Sequence, residues 1–166
     1  GEEPMGKIAA PLLAVVARAI EKVRLECIVI GNSAAALQGA PVTTIAVDFM
    51  FRKTKRNIDK LRRLAEALDG HLSRPFLPAS DMYRLITEDL QIDFVSRMHG
   101  IRSFESLRSR ADKVAIGGSV LRIAALEDVI KSKRAARREK DLASLPILEK
   151  ALAVKKALAA MDDTPH

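Results

Sequence analysis

Residues 26–52 constrain the fold of this chain more than any other segment, because a short apolar run, a glycine and a small-residue stretch follow one another there. The apolar run 26–30 has the length of a strand and ends at Gly31. Residues 33–38 are small and helix-forming, and the glycine and proline that follow end the helix. This order predicts a strand, a glycine turn and a short helix.

Residues 44–52 alternate in polarity and therefore predict a second strand. One predicted face carries Ile45, Val47, Phe49 and Phe51, and the other carries Ala46, Asp48, Met50 and Arg52. Residues 90–96 alternate in the same way, with Leu90, Ile92 and Phe94 on one face and Gln91, Asp93 and Val95 on the other. Both Asp48 and Asp93 are thus expected opposite the apolar side of their strands.

The remaining segments complete an α/β pattern. Apolar residues at helical spacing predict helices over 7–24 and 55–69, and two glycines at 117–118 predict a hairpin within 111–124. Two further strands are expected at 71–76 and 83–87, and the chain from residue 126 onward is expected to be helical with a break near Pro146. The order predicts an α/β domain with a small mixed sheet, flanked by helices, and a helical C-terminal portion.

Length and composition indicate one domain in a reducing compartment. The chain has 166 residues, and we expect residues 5–160 to form a single domain and residues 1–4 to be the remnant of a tag. The one cysteine, Cys27, lies in an apolar run, which favours a buried strand residue over a nucleophile and a cytoplasmic location over a secreted one. No segment has the length of a membrane span.

The formal net charge of +7 favours polyanionic partners such as nucleic acid or nucleotide phosphates. An excess of solvated surface lysine and arginine explains the charge equally well.

Two carboxylates on neighbouring strands are the chemistry that Mg²⁺ requires, because that ion takes hard oxygen ligands and leaves positions for phosphates. Asp48 and Asp93 are the candidates. The alternative is that each is an ordinary strand carboxylate, Asp48 pairing with Arg52 or a nearby lysine. The glycine turn at Gly31 favours the metal interpretation, because backbone N–H groups after such a turn can hold a phosphate.

A basic cluster near the C-terminus could neutralise such a phosphate. It comprises Lys133, Arg134, Arg137, Arg138 and Lys140. Lys133 and Arg137 are four residues apart and therefore adjacent on a helix. The alternative is a solvated basic face whose ion-pair partners are Glu127, Asp128, Glu139 and Asp141.

These segments resemble the minimal nucleotidyltransferases of the DNA polymerase β-like superfamily, in particular the AbiEii-like families of toxin–antitoxin and abortive-infection systems. The first motif supplies Gly31, Asn32 in place of a second glycine, Ser33, Ala34, Gly39, Thr44 and Asp48. Residues 91–94 are similar to the strand of the third carboxylate, and residues 126–142 to the C-terminal signature. The resemblance covers residues 26–145.

The resemblance implies a polymerase β-like nucleotidyltransferase fold and transfer of a nucleotide from a nucleoside triphosphate (NTP), with two Mg²⁺ ions. Asp48 and Asp93 would be the catalytic metal ligands. The phosphate-binding residues would be Gly31, Asn32, Ser33, Lys133, Arg138 and Lys140, with Asp141 orienting the lysines. The acceptor would be tRNA, another RNA or a protein, and a cognate toxin or antitoxin would be a partner.

Ala46 departs from the pattern, which places an aspartate there. We interpret the change as an inactivating substitution in an otherwise intact site. The alternative is a natural pseudoenzyme that serves as a nucleic-acid- or protein-binding module.

Overall fold

The computed structural model describes residues 4–42, 46–73 and 81–162, with the side chains of the first helix described from residue 11 onward. Six helices and seven strands lie within these ranges. The helices are α1 (Pro4–Val23), α2 (Gly31–Leu37), α3 (Lys55–Ala67), α4 (Phe104–Arg110), α5 (Leu126–Ala136) and α6 (Glu139–Asp162). The strands are β1 (Cys27–Val29), β2 (Val47–Phe51), β3 (His71–Ser73), β4 (Met82–Ile86), β5 (Gln91–Val95), β6 (Asp112–Ile116) and β7 (Ser119–Ile123).

The strands form one mixed sheet in the order β3-β4-β5-β2-β1-β7-β6. The β1–β7 and β2–β5 pairs are parallel, and the other four neighbouring pairs are antiparallel. The small mixed sheet with flanking helices is the architecture that the sequence predicted. The β6–β7 hairpin turns through Gly117 and Gly118, both at positive φ, also as predicted.

The register of β2 and β5 is fixed by their apolar faces. Val47 lies opposite Ile92 and Phe49 opposite Phe94, and the two phenylalanine rings stack with centroids 5.2 Å apart. All four side chains are buried. Because strand side chains alternate, this pairing also sets the intervening residues of the two strands side by side on the other face.

That other face is less open than the alternation predicted. Met50 was expected on a non-core face, yet only 2% of it is exposed. The middle of the sheet is therefore covered on both sides, and only the end of β2 that carries Asp48 is partly open.

Three local features differ from the sequence-based expectations. Ala46 lies in a bend just before β2 and not within the strand. Helix α4 was not predicted, although Ser103 caps it by accepting a hydrogen bond from the Ser106 N–H at 3.1 Å. The expected strand 71–76 is seen as β3 over its first three residues, and the rest lies outside the described residues, as does Thr44.

The C-terminal helical portion breaks at Arg137 rather than near Pro146. Arg137 adopts a left-handed backbone with φ 55° and ends α5. Helix α6 runs through Pro146, where a proline removes one backbone hydrogen bond. Beyond it, Leu148 is fully buried and Glu149 pairs with Arg134, so contacts with α5 and the core hold the second half of the helix in place.

Within the described residues, no helix combines the length and the apolarity needed to cross a bilayer.

Candidate active site

Three charged side chains lie in one row across the middle of the sheet. Asp48 of β2 is the register partner of Asp93 of β5, and Asp93 is in turn the partner of Arg84 of β4. The core-facing residues of β2 and β5 dictate this row, because each charged residue lies between two buried apolar ones on its strand. Two carboxylates are thus adjacent at the sheet surface, with a guanidinium beside the outer one.

No side chain in the described part of the chain forms a hydrogen bond or an ion pair with the Asp48 carboxylate. Burial and the neighbouring charge of Asp93 raise its pKa to about 6, although the more distant charges of Lys140, Lys133 and Arg138 lower it. Gly31 is at φ 62°, and a Cβ on it would lie 3.7 Å from Asp48 Oδ2. The glycine therefore leaves the inner side of this carboxylate open.

Asp93, in contrast, is engaged on both oxygens. Arg84 donates from Nε to Oδ1 at 2.9 Å and from Nη2 to Oδ2 at 3.4 Å, and Gln91 Nε2 lies 3.5 Å from Oδ2. The hydrogen bond from Arg84 to Asp93, and then the charge of Asp93, raise the pKa of the Arg84 guanidinium. The carboxylate pair thus carries one built-in counter-ion for two negative charges.

The turn between α5 and α6 forms the facing wall. Asp141 is completely buried, and it accepts hydrogen bonds from Arg138 Nε at 2.6 Å and Lys133 Nζ at 3.4 Å. Burial by itself would raise the pKa of Asp141, but the hydrogen bond and charge of Arg138, together with Lys133, lower it below its usual range. The buried carboxylate therefore orients two cations at this wall.

The sheet and this turn enclose a cavity of about 400 Å³. Its charged and titratable lining residues are Asp48, Asp93, Asp141, Arg97, His99, Lys133, Arg138 and Lys140. Lysine and arginine outnumber carboxylates there, four to three. The negative pair lies on the sheet, and three of the cations lie on the turn or helix opposite, which suits a ligand that binds a cation at one end and carries anionic groups at the other.

Most of the predicted site residues meet in this cavity. Gly31, Asp48, Asp93, Lys133, Arg138, Lys140 and Asp141 all line it. Asn32, Ser33 and Ala46 are not among its lining residues. Ser33 is 1% exposed and donates from Oγ to the Ala46 carbonyl at 3.1 Å, so its side chain joins α2 to the segment before β2.

Three lining or adjacent residues were missed by the sequence reasoning. Arg84 could have been found, since it is central in a predicted strand that alternates apolar and polar residues. Arg97 and His99 follow β5 in an irregular loop, where no periodicity marks them. The loop approaches α5 closely at Gly100, where an added Cβ would lie only 2.9 Å from Ala135 Cβ.

The donor set fits one divalent ion better than two. Asp48 and Asp93 provide adjacent carboxylates, and Mg²⁺ is commonly held by one or two carboxylates together with phosphates and water. Residue 46, where the resemblance expects an aspartate, is an alanine, and its methyl group supplies no ligand. Across the described ranges, no cluster of three histidine, cysteine or acidic side chains has metal-binding geometry.

The sequence of residues 10–162 matches the family described as nucleotidyl transferase of unknown function, DUF2204. The chain belongs to this family. Among curated proteins, none matches the chain.

Solved structures of nucleotidyltransferases share the fold. The antibiotic-resistance factor ANT(2'')-Ia in solution superposes with a TM-score of 0.60 at 17% identity, covering 92% of this chain and 94% of that one. Its crystal structure in complex with adenylyl-2''-tobramycin gives 0.59 at 15% identity, with coverages of 92% and 97%. A Thermotoga maritima protein assigned as a nucleotidyltransferase, TM1012, gives 0.55 at 17% identity, with coverages of 90% and 91%.

The fold is therefore of the polymerase β-like nucleotidyltransferase type, as the sequence predicted, and the family supports nucleotidyl transfer as the class of reaction.

Proposed function

We propose that the cavity binds an NTP and that the parent activity of the site is Mg²⁺-dependent transfer of its nucleotidyl group to an acceptor hydroxyl. The observation that carries the proposal is the register pairing of Asp48 with Asp93, which directs both carboxylates into a cavity whose opposite wall is cationic. Neither wall alone distinguishes a phosphoryl-transfer site from ordinary surface charge.

Each wall has its own part in this proposal. Lys133, Arg138 and Lys140 bind the phosphates, and Asp141 keeps the first two in place. Asp48 and Asp93 hold the divalent ion, which when bound neutralises phosphate charge and assists the attacking oxygen. In the reaction the acceptor oxygen forms a bond to the α-phosphorus, the bond from that phosphorus to the bridging oxygen of the β-phosphate breaks, and pyrophosphate leaves. The hydroxyl proton of the acceptor passes to solvent water.

Ala46 is the reason to expect a weak or absent transfer step. It lies just before β2, two residues ahead of Asp48, and a methyl group supplies no ligand. We interpret this as inactivation of a site that otherwise retains its phosphate-binding wall. Asn32 in place of a glycine in the preceding turn adds a smaller change.

We further propose an anionic acceptor, RNA or an acidic region of a partner protein. The net charge of +7 disfavours a polycationic acceptor of the tobramycin kind. The motifs at Gly31–Asp48 and residues 126–142 support an AbiEii-like origin, and with it a toxin–antitoxin partner. The buried, unpaired Cys27 is consistent with a reducing cytoplasm.

The decisive experiment restores the missing carboxylate. Ala46→Asp is incubated with each of the four labelled triphosphates, Mg²⁺ and either total RNA or the protein partner. We expect Mg²⁺-dependent label on one acceptor, and none in the matched double variant Ala46→Asp/Asp93→Asn. Absence of transfer with every acceptor and triphosphate would contradict the enzymatic part of the proposal.

A binding module without turnover is the second candidate, favoured by Ala46 itself. Calorimetry with a non-hydrolysable ATP analogue separates the two on the unmodified chain. Binding that is weakened by Lys133→Met, combined with no transfer by Ala46→Asp, would establish the module. If Lys133→Met leaves nucleotide affinity unchanged, the nucleotide-binding cavity is not where we place it.

A further inference from the structure

Arg84 is hydrogen-bonded to Asp93, one of the two carboxylates that would hold the proposed divalent ion. The strand order β4-β5-β2 places Asp93 between Arg84 on one side and Asp48 on the other. Both oxygens of Asp93 are within reach of the Arg84 guanidinium, at 2.9 and 3.4 Å. A divalent ion shared by Asp48 and Asp93 would have to bind an Asp93 oxygen that already accepts a hydrogen bond from Arg84, next to the positive charge of that guanidinium.

We propose that Arg84 is an internal counter-ion that competes with a divalent cation for Asp93 and so sets the metal affinity of the site. This inference rests on the proposed function, since it concerns the same carboxylate pair. Arg84 acts here as a positioning residue, because it acts on metal binding only through Asp93.

The exposure of the two partners makes the exchange feasible. The Arg84 side chain is 38% exposed, whereas that of Asp93 is 14% exposed. A guanidinium at the cavity edge can move into water at little desolvation cost, while the carboxylate stays where the strand holds it. The contact is thus one that a ligand can displace.

The charge count explains why the competition matters in this chain. Asp48 and Asp93 bring two negative charges, and Arg84 leaves one of them uncompensated. With a third carboxylate at position 46, a divalent ion would outcompete a single guanidinium more easily. With alanine at position 46, Arg84 competes more effectively with the ion. The present sequence is therefore expected to favour the state in which Arg84 is paired with Asp93.

Gln91 does not remove this competition. Its Nε2 lies 3.5 Å from Asp93 Oδ2, at the limit of hydrogen-bond distance, and it carries no charge. Arg84 is therefore the one cationic side chain in the described ranges that contacts Asp93, and removing its charge should be felt directly by a bound cation.

The test measures Mn²⁺ binding to the full chain by electron paramagnetic resonance, because carboxylate ligands accept Mn²⁺ as readily as Mg²⁺. Arg84→Gln should tighten Mn²⁺ binding about three- to tenfold, as expected for loss of a competing, partly exposed charge. Arg84→Lys keeps the charge but loses the two-nitrogen contact with Asp93, so its Mn²⁺ affinity should lie between those of the unmodified chain and Arg84→Gln. Arg63→Gln, on the exposed face of α3, removes the same charge away from the cavity and is the matched control.

The outcomes are distinguishable. A purely structural Arg84 that only orients the carboxylate predicts weaker binding in Arg84→Gln, and either that result or unchanged affinity overturns the inference.

Asp93→Asn decides the proposed function separately. If it removes Mn²⁺ binding while Arg84→Gln does not tighten it, the inference alone fails. If Asp93→Asn has no effect, or if no variant binds Mn²⁺, the metal site fails and the inference fails with it. Urea unfolding of each variant verifies that it is folded.

Discussion

The two acidic centres that face the cavity hold the same side chain in opposite electrostatic situations. Asp48, on the sheet, is partly buried beside another carboxylate, and burial with the charge of Asp93 raises its pKa to about 6. Asp141, in the α5–α6 turn, is completely buried, yet despite that burial Arg138 and Lys133 lower its pKa. The first centre is short of positive charge and suits an incoming cation. The second is satisfied within the fold and serves to hold cations that face an anion.

This contrast also separates stability from ligand binding. A carboxylate with internal partners contributes to the folded state, whereas one left without partners costs folding free energy and is retained for binding. Substitutions of Asp48 and Asp141 should therefore change the free energy of unfolding in opposite directions and by different amounts.

The largest effect is expected at Asp141. Asp141→Asn should lower the free energy of unfolding by about 3 kcal/mol, because it leaves Lys133, whose side chain is only 12% exposed, without its counter-ion. Urea denaturation at pH 7 measures it. Asp59→Asn removes an exposed pair with Arg62 and should cost less than about 0.5 kcal/mol. Similar losses in both variants would show that the turn is not a buried ionic centre.

Asp48→Asn should have the opposite sign. At pH 7 it should raise the free energy of unfolding by on the order of 1–2 kcal/mol, because the folded state no longer holds a carboxylate whose pKa is raised. The same variant should lose Mn²⁺ binding. Thermal unfolding and Mn²⁺ titration on one preparation measure both, and a destabilised Asp48→Asn would contradict the interpretation of Asp48 as an unpaired binding group.

The pH dependence should divide the two centres in the same way. The folded-state pKa of Asp48, about 6, lies above its unfolded value, so its contribution to stability is fully present below about pH 4 and is lost as the pH rises through 6. The pKa of Asp141 is lowered, so its contribution is present above about pH 4 and is lost as the pH falls through its folded-state value. Unfolding curves from pH 3 to 8 should therefore show the Asp48→Asn difference only on the alkaline side and the Asp141→Asn difference shrinking on the acid side.

Lys140 should give the smallest change in stability. It is exposed and lines the cavity, and Lys140→Ala should change the free energy of unfolding by less than about 0.5 kcal/mol. The affinity of the Lys140→Ala variant for a non-hydrolysable ATP analogue should fall about fivefold, the loss expected for one partly screened charge. Lys156→Ala, exposed on α6 and outside the cavity lining, is the control. Equal affinities of these two variants would remove Lys140 from the phosphate wall.

The sequence predicted much of the fold because strong local patterns agree with tertiary packing. The alternation predicted over residues 44–52 and 90–96 contains β2 and β5, and the glycine pair matches the β6–β7 turn. Helix α4 and the break at Arg137 were missed. Helix α4 is short, so its apolar periodicity is weak even though Ser103 caps it. The left-handed backbone of Arg137 depends on how α6 packs against α5, which the local sequence does not show.

For the site, the sequence determined the residue types and their faces. Period-two alternation required Asp48 and Asp93 to lie opposite the core, and the basic cluster at 133–140 required positive charge near one turn. Which of these groups meet was decided by tertiary structure. Strand register, fixed by Phe49 against Phe94, set the two carboxylates side by side. Pairing of β4 with β5 added Arg84, and the packing of α5 against α2 and α6 placed the α5–α6 turn opposite them. Burial then distinguished Asp48 from Asp141, because a carboxylate's pKa depends on the charges and water around it, and neither is written in its own stretch of sequence.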